Sequence, residues 1–179
     1  LGLLSAGLAS TAMAAPPTGS PGCPASAMGA ATGVSKPSKT PMAQLPLNQR
    51  PAALSAALGL PPRVLIGLGT VDFSLIQRQD IKVDIYDQYI NGVGPQSWIS
   101  WNSPSGAYIP KVAANADCIG AVPMFTLYQM ASNGENNLSG LRDMTFMKQY
   151  WDNVRMLFTR LRAYGKPALV NFEPDFWGY

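Results

Sequence analysis

The chain has 179 residues, with 13 Lys and Arg against 10 Asp and Glu, no His, and a net charge of +3. So small and scattered a positive balance argues against electrostatic nucleic-acid binding, and a chain without histidine is a poor candidate for a Ser-His-Asp triad or a zinc hydrolase. No stretch is long and apolar enough to span a bilayer, so the expected partners include neither nucleic acid, nor a membrane span, nor a metal or other cofactor.

Composition divides the chain in two. Residues 1–62 contain no aromatic residue, and all seven Tyr, four Trp and six Phe follow Arg63. Only the second part can bury a core, which predicts one folded unit behind a tail. Residues 1–15, LGLLSAGLASTAMAA, form a weakly apolar run ending in Ala12-Met13-Ala14 before Pro16-Pro17. Small residues at the first and third positions of that tripeptide suit signal peptidase, so the run is expected to be part of a signal peptide. The protein is accordingly expected to be secreted, periplasmic or on the cell surface. Residues 16–62 are expected to be a Pro/Ala/Ser-rich linker with a helical stretch over 51–60. A disulfide between Cys23 in this linker and Cys118 would tie the tail to the core, and both are expected as free thiols.

From Val64 the pattern alternates. The apolar run 64–69 reads as a buried strand, 73–79 as a short helix, and the alternating segment 82–90 as a second strand. Residues 105–116 predict a helix with Tyr108, Val112 and Ala116 inward, and 118–128 predict a third strand opened by Cys118. Next comes the strongest helical period, with Met147, Trp151, Val154, Phe158 and Leu161 on one face and Trp151 and Phe158 expected in the core. Gly165 is its expected left-handed cap, and 168–172 the fourth strand. Strands separated by helices predict an α/β fold with a parallel sheet. A doubly wound open sheet competes with the N-terminal half of a (β/α)8 TIM-type barrel of about four parallel strands, residues 63–179. The barrel is preferred because polar and aromatic residues follow every strand, and because Asp72 stands where a dinucleotide fingerprint needs its third glycine.

Barrel sites lie at the C-terminal strand ends. Those ends supply Asp72, then Asp84, Tyr86, Asp87, Gln88 and Tyr89, with Trp98 and Trp101 on the loop beyond, then Tyr128 and Gln129, then Asn171, Glu173 and Asp175. Amides and aromatic faces suit polyhydroxylated rings, whose C–H faces stack while their hydroxyls pair. Glycoside cleavage needs two carboxyl groups, one with a raised pKa to protonate the leaving oxygen. Glu173 is the expected acid, with Asn171 on its face by strand alternation and Phe172 and Phe176 to desolvate it. The other residues are expected substrate contacts. Glu173-Pro174-Asp175 is also simply a turn sequence, Asp72 a helix cap, and the 84–89 cluster a solvated strand edge; these readings stay open.

The segments VDIYDQYI (83–90), PMFTLYQ (123–129) and FEPDFWGY (172–179) together resemble a group of exported bacterial proteins with a glycoside-hydrolase-like (β/α)8 barrel. A looser likeness is to clan A glycoside hydrolases, whose acid/base Glu ends the fourth strand in an Asn-Glu-Pro context; here Phe172 separates Asn171 from Glu173. That resemblance implies hydrolysis of a poly- or oligosaccharide by carboxylate acid/base catalysis, with Glu173 the acid/base and the nucleophile on a later strand, so that this stretch by itself would be inactive. The alternative is a non-catalytic carbohydrate-binding or cell-surface barrel module.

Overall fold

The computed structural model describes residues 41–70, 72–134 and 137–176. The expected signal peptide, the first part of the linker, Cys23 and Trp177 lie outside the described residues.

Helix α1 (Arg50–Leu58) carries a proline in its first turn, where the missing N–H costs nothing, and stops at Gly59 in a left-handed conformation with φ 70°. Two 3-10 turns, Met42–Gln44 and Leu47–Gln49, precede it, so the end of the expected linker carries structure of its own. Strand β1 (Gly67–Gly69) is shorter than the apolar run predicts, and Val64 and Ile66 stay exposed. The chain there is held by a brace: Arg63 donates to both Asp84 carboxylate oxygens at 2.7 Å, and the Ile66 N–H donates to Asp84 Oδ2 at 2.8 Å.

The chain continues through α2 (Phe73–Arg78), β2 (Ile85–Asn91), α3 (Tyr108–Ile119), β3 (Val122–Tyr128), α4 (Met144–Tyr164) and β4 (Leu169–Phe172). Asp143 opens α4 by accepting the Thr145 and Phe146 N–H groups, and Gly165 closes it at φ 72°. The third strand begins later than expected. Cys118 and Ile119 form the last turn of α3, and Gly120 at φ 71° reverses the chain into β3. A continuous apolar run cannot mark where a buried helix ends and a buried strand starts. Cys118 is also disulfide-bonded, which corrects the expectation of a free thiol; the only other cysteine in the sequence is Cys23.

The four strands pair in parallel in the order β1-β2-β3-β4. Neighbours in register place Tyr86, Gln88, Ile90, Phe125, Leu127, Val170 and Phe172 on one face of the sheet. On that face Tyr86, Ile90, Phe125 and Leu127 share one core cluster with Ile76 of α2, Ile109, Val112 and Ala116 of α3, and Val154 and Leu157 of α4. All three connecting helices therefore cover the same side. Doubly wound sheets carry helices on both sides, so over these strands the sheet is singly wound.

Helix α4 turns a different stripe inward than its period suggests. Its buried residues are Phe146, Tyr150, Asn153, Val154 and Leu157, whereas Trp151 and Phe158 are 53% and 48% exposed. Both stripes run at steps of three and four, one residue apart. The inward one wins because Tyr150 and Asn153 carry polar ends that reach partners beneath the strand ends, as described next.

Candidate functional site

Two separate polar arrangements occupy the C-terminal half of the sheet. The first is buried between β3, β4 and α4. Glu173 follows β4 with φ 42°, a left-handed conformation that costs a non-glycine residue about 1–3 kcal/mol. That twist breaks strand alternation, and it turns the carboxylate toward the end of β3. Its Oε1 accepts the Gln129 N–H at 2.9 Å, and both oxygens accept the Met130 N–H, at 3.3 and 3.2 Å. The Tyr150 hydroxyl of α4 donates to it as well. Burial pushes the Glu173 carboxyl above its ordinary value, and these three donors pull against that rise. Beside it the Gln129 side chain, fully buried, accepts Trp98 Nε1–H at 3.4 Å and Asn153 Nδ2–H at 2.6 Å. The buried Gln129 Nε2 has no hydrogen-bond partner among the described residues.

The second arrangement lies on the face opposite the helices. Here β2 presents Ile85, Asp87, Tyr89 and Asn91, β3 presents Met124, Thr126 and Tyr128, and β4 presents Leu169 and Asn171, with Tyr89, Thr126 and Asn171 side by side in register. Thr126 Oγ1 donates to the two Asp87 carboxylate oxygens at 3.0 and 3.1 Å. No cation pairs with Asp87 among the described residues. Burial lifts its carboxyl above the ordinary value, and the Thr126 hydroxyl bond offsets part of that rise. Tyr89, 51% exposed, meets the Tyr128 ring edge-on at 6.0 Å between centroids. On the other flank β1 offers only glycine on this face. Among the described residues, a Cβ at Gly69 would meet only the Asp87 carbonyl oxygen, tightly at 3.3 Å, and the Asp87 Cβ at 4.0 Å. The space beside the Asp87 side chain is therefore bounded by bare backbone.

The expected site residues divide between these arrangements and the core. Asp87, Tyr89, Tyr128 and Asn171 come together on the open face. Glu173 does not join Asn171 there, because its left-handed backbone sends the carboxylate into the β3–α4 junction. Tyr86 is 2% exposed on the helix side, its hydroxyl donating to the Thr70 carbonyl at 3.3 Å, and Gln88 beside it donates to the same carbonyl and accepts the Tyr108 hydroxyl at 2.9 Å. Burial raises the Tyr108 hydroxyl to about 12. Trp98 and Gln129 are wholly buried, which corrects the expectation that they meet substrate. Asp84 precedes β2 at the opposite end of the sheet, and Arg63 holds its carboxyl below the usual range. Trp101 stays partly exposed with its ring edge-on to Tyr108 at 5.1 Å. Asp175 is exposed in the turn after β4, and Asp72 stands ahead of α2, accepting the Ser74 hydroxyl. Thr126 and Asn91 are the open-face residues the sequence reading omits. Both share Asp87's parity across the β2–β3 register, a signal present in the sequence once that register is known.

No family model, no curated protein and no solved structure matches the chain. Among the described residues no helix is long and apolar enough to cross a membrane.

Proposed function

We propose that the chain forms half of a (β/α)8 barrel of glycoside-hydrolase type and that its uncovered sheet face binds a poly- or oligosaccharide. The observation that carries this reading is the open face itself, where a carboxyl, an amide and two phenol rings gather toward the C-terminal strand ends. Sequential parallel strands with every helix on one side are the winding a barrel uses, and the uncovered side would then line its lumen. Tyr89 and Tyr128 offer ring faces for the apolar side of a pyranose, while Asp87, Asn91 and Asn171 offer acceptors and donors for its hydroxyls. Hydrolysis in this reading proceeds by carboxyl acid/base catalysis, and export rests on residues 1–15.

A second reading, carbohydrate binding without cleavage, is favoured by one observation. The carboxylate expected as the acid, Glu173, is enclosed by two backbone N–H groups and a tyrosine hydroxyl. Retention of the full-length protein by gels containing xylan, glucomannan, carboxymethylcellulose or starch tests the shared part of both. At least one glycan should retard it, and Tyr89→Ala with Tyr128→Ala should weaken that retardation several-fold. Unaltered migration in all four would overturn the carbohydrate assignment.

A further inference from the structure

We propose that Asp87, on the second strand, is the proton-donating catalytic residue of this site. The inference rests on the carbohydrate reading above and goes beyond it by moving the chemistry from the fourth strand to the second.

Four observations lead there. Asp87 is half-buried on the face opposite α2, α3 and α4, which no helix covers among the described residues; Glu173 is buried at the β3–α4 junction. The Asp87 carboxyl accepts the Thr126 hydroxyl and the Gln88 and Thr126 backbone N–H groups, three donors against about four lone-pair sites, which fixes its orientation and leaves a place for one more partner. Glu173 receives a donor set of the same kind, two N–H groups and a hydroxyl, but it does so buried at the β3–α4 junction, away from the face that carries Asp87. No cation neutralises Asp87 among the described residues, so nothing in the first contact layer forces it to stay ionised. Finally, Gly67 and Gly69 leave β1 without side chains on this face, so that among the described residues only backbone borders Asp87 on the β1 flank. The half-burial of Asp87 favours its protonated form, as an acid catalyst requires.

The step balances on this one group. The Asp87 carboxyl gives its proton to the glycosidic oxygen as the bond from that oxygen to the anomeric carbon breaks, and the bonding pair leaves with the oxygen. Water adds to the anomeric carbon, and the proton it loses restores the carboxyl. One water is consumed for each bond cleaved.

The test uses the full-length protein on the glycan that retards it most, with reducing ends counted over pH 4–9, gel retardation measured alongside, and Trp151→Ala as a control away from the open face. Asp87→Asn should lower hydrolysis about 100-fold or more while retardation changes little. Thr126→Val removes the bond that stabilises the ionised carboxyl, so the alkaline limb of the pH–rate profile should move to higher pH with Asp87 still present. A Thr126 bond of merely structural importance would lower stability without moving that limb. Hydrolysis within tenfold of the unmodified protein in Asp87→Asn, or an unmoved limb in Thr126→Val, overturns the assignment, and the second variant decides if the first does not fold. Retardation without hydrolysis by the unmodified protein also overturns it while leaving the carbohydrate reading standing. Loss of retardation as well removes both.

Discussion

On the helix-covered side of the sheet, Tyr86, Ile90, Phe125 and Leu127 are almost wholly enclosed, and Tyr86 and Gln88 direct their polar ends to the Thr70 carbonyl. Across the same strands, Tyr89 and Asn91 are exposed, Asp87 and Tyr128 are half-buried and Thr126 is buried. A single β2 sequence, Ile-Tyr-Asp-Gln-Tyr-Ile-Asn, supplies both faces by simple alternation. The difference teaches how to rank carboxyl groups. Glu173 is the more buried, and its donors come from the end of β3 and from α4, which marks it as part of the structural side. Asp87 has a comparable donor set but is only half-buried on the face opposite the helices, which is the condition for exchanging protons with a ligand.

The largest effect separating the two faces should come from Phe125→Ala. Removing this enclosed ring should cost about 3–5 kcal/mol in urea unfolding, and a loss below about 1 kcal/mol would mean that the covered face is not the core. Glu173→Ala comes next, at about 1–3 kcal/mol, because it strands two buried backbone N–H groups and Tyr150. Its pH dependence has a definite sign. The folded pKa lies above the ordinary 4.5, so the fold favours the protonated acid. That contribution is complete below the unfolded value and is lost as pH rises through the folded one. Gln does not titrate, so the Tm of Glu173→Gln relative to the unmodified protein should climb as pH rises through this window. A flat difference would show that the Glu173 carboxyl is not destabilised by burial.

Asp87→Asn should be milder, about 0.5–1.5 kcal/mol, since its Thr126 hydroxyl bond and the Gln88 and Thr126 N–H bonds are weakened, not stranded, at a half-buried position. Asp87 is raised in the same direction, so the relative Tm of that variant should also rise with pH. Tyr89→Ala closes the series at about 0.5 kcal/mol, as expected for an exposed ring, and a cost approaching that of Phe125→Ala would erase the contrast between the faces.

Much of this architecture was legible before the fold. Short apolar runs set between glycines and helical periods place the four strands in order, and Gly165 marks the helix end where a left-handed cap is needed. The start of β3 was not legible, because Cys118-Ile119 is as apolar as the strand it precedes. Nor was the inward stripe of α4. The helical period identifies two adjacent stripes, and only the polar partners Gln129 and Glu173 select the one bearing Tyr150 and Asn153. At the site, strand-end position singles out Asp87, Tyr89, Tyr128 and Asn171, and the register sets all four on one face of the sheet. Trp98 and Gln129 misled, because an indole and an amide that satisfy each other inside the core have the same composition as a sugar-binding pair.

The sequence by itself determined the succession of strands and helices, the parallel pairing that succession requires, and which side chains alternate along β2. The tertiary structure alone decided which of those alternating faces the helices cover, since crossovers of one hand between successive neighbouring strands stack α2, α3 and α4 on one side. It also decided the fate of Glu173. Alternation assigns this residue to the open face, but three donors converging from β3 and α4 hold it in a left-handed turn that a linear pattern cannot register.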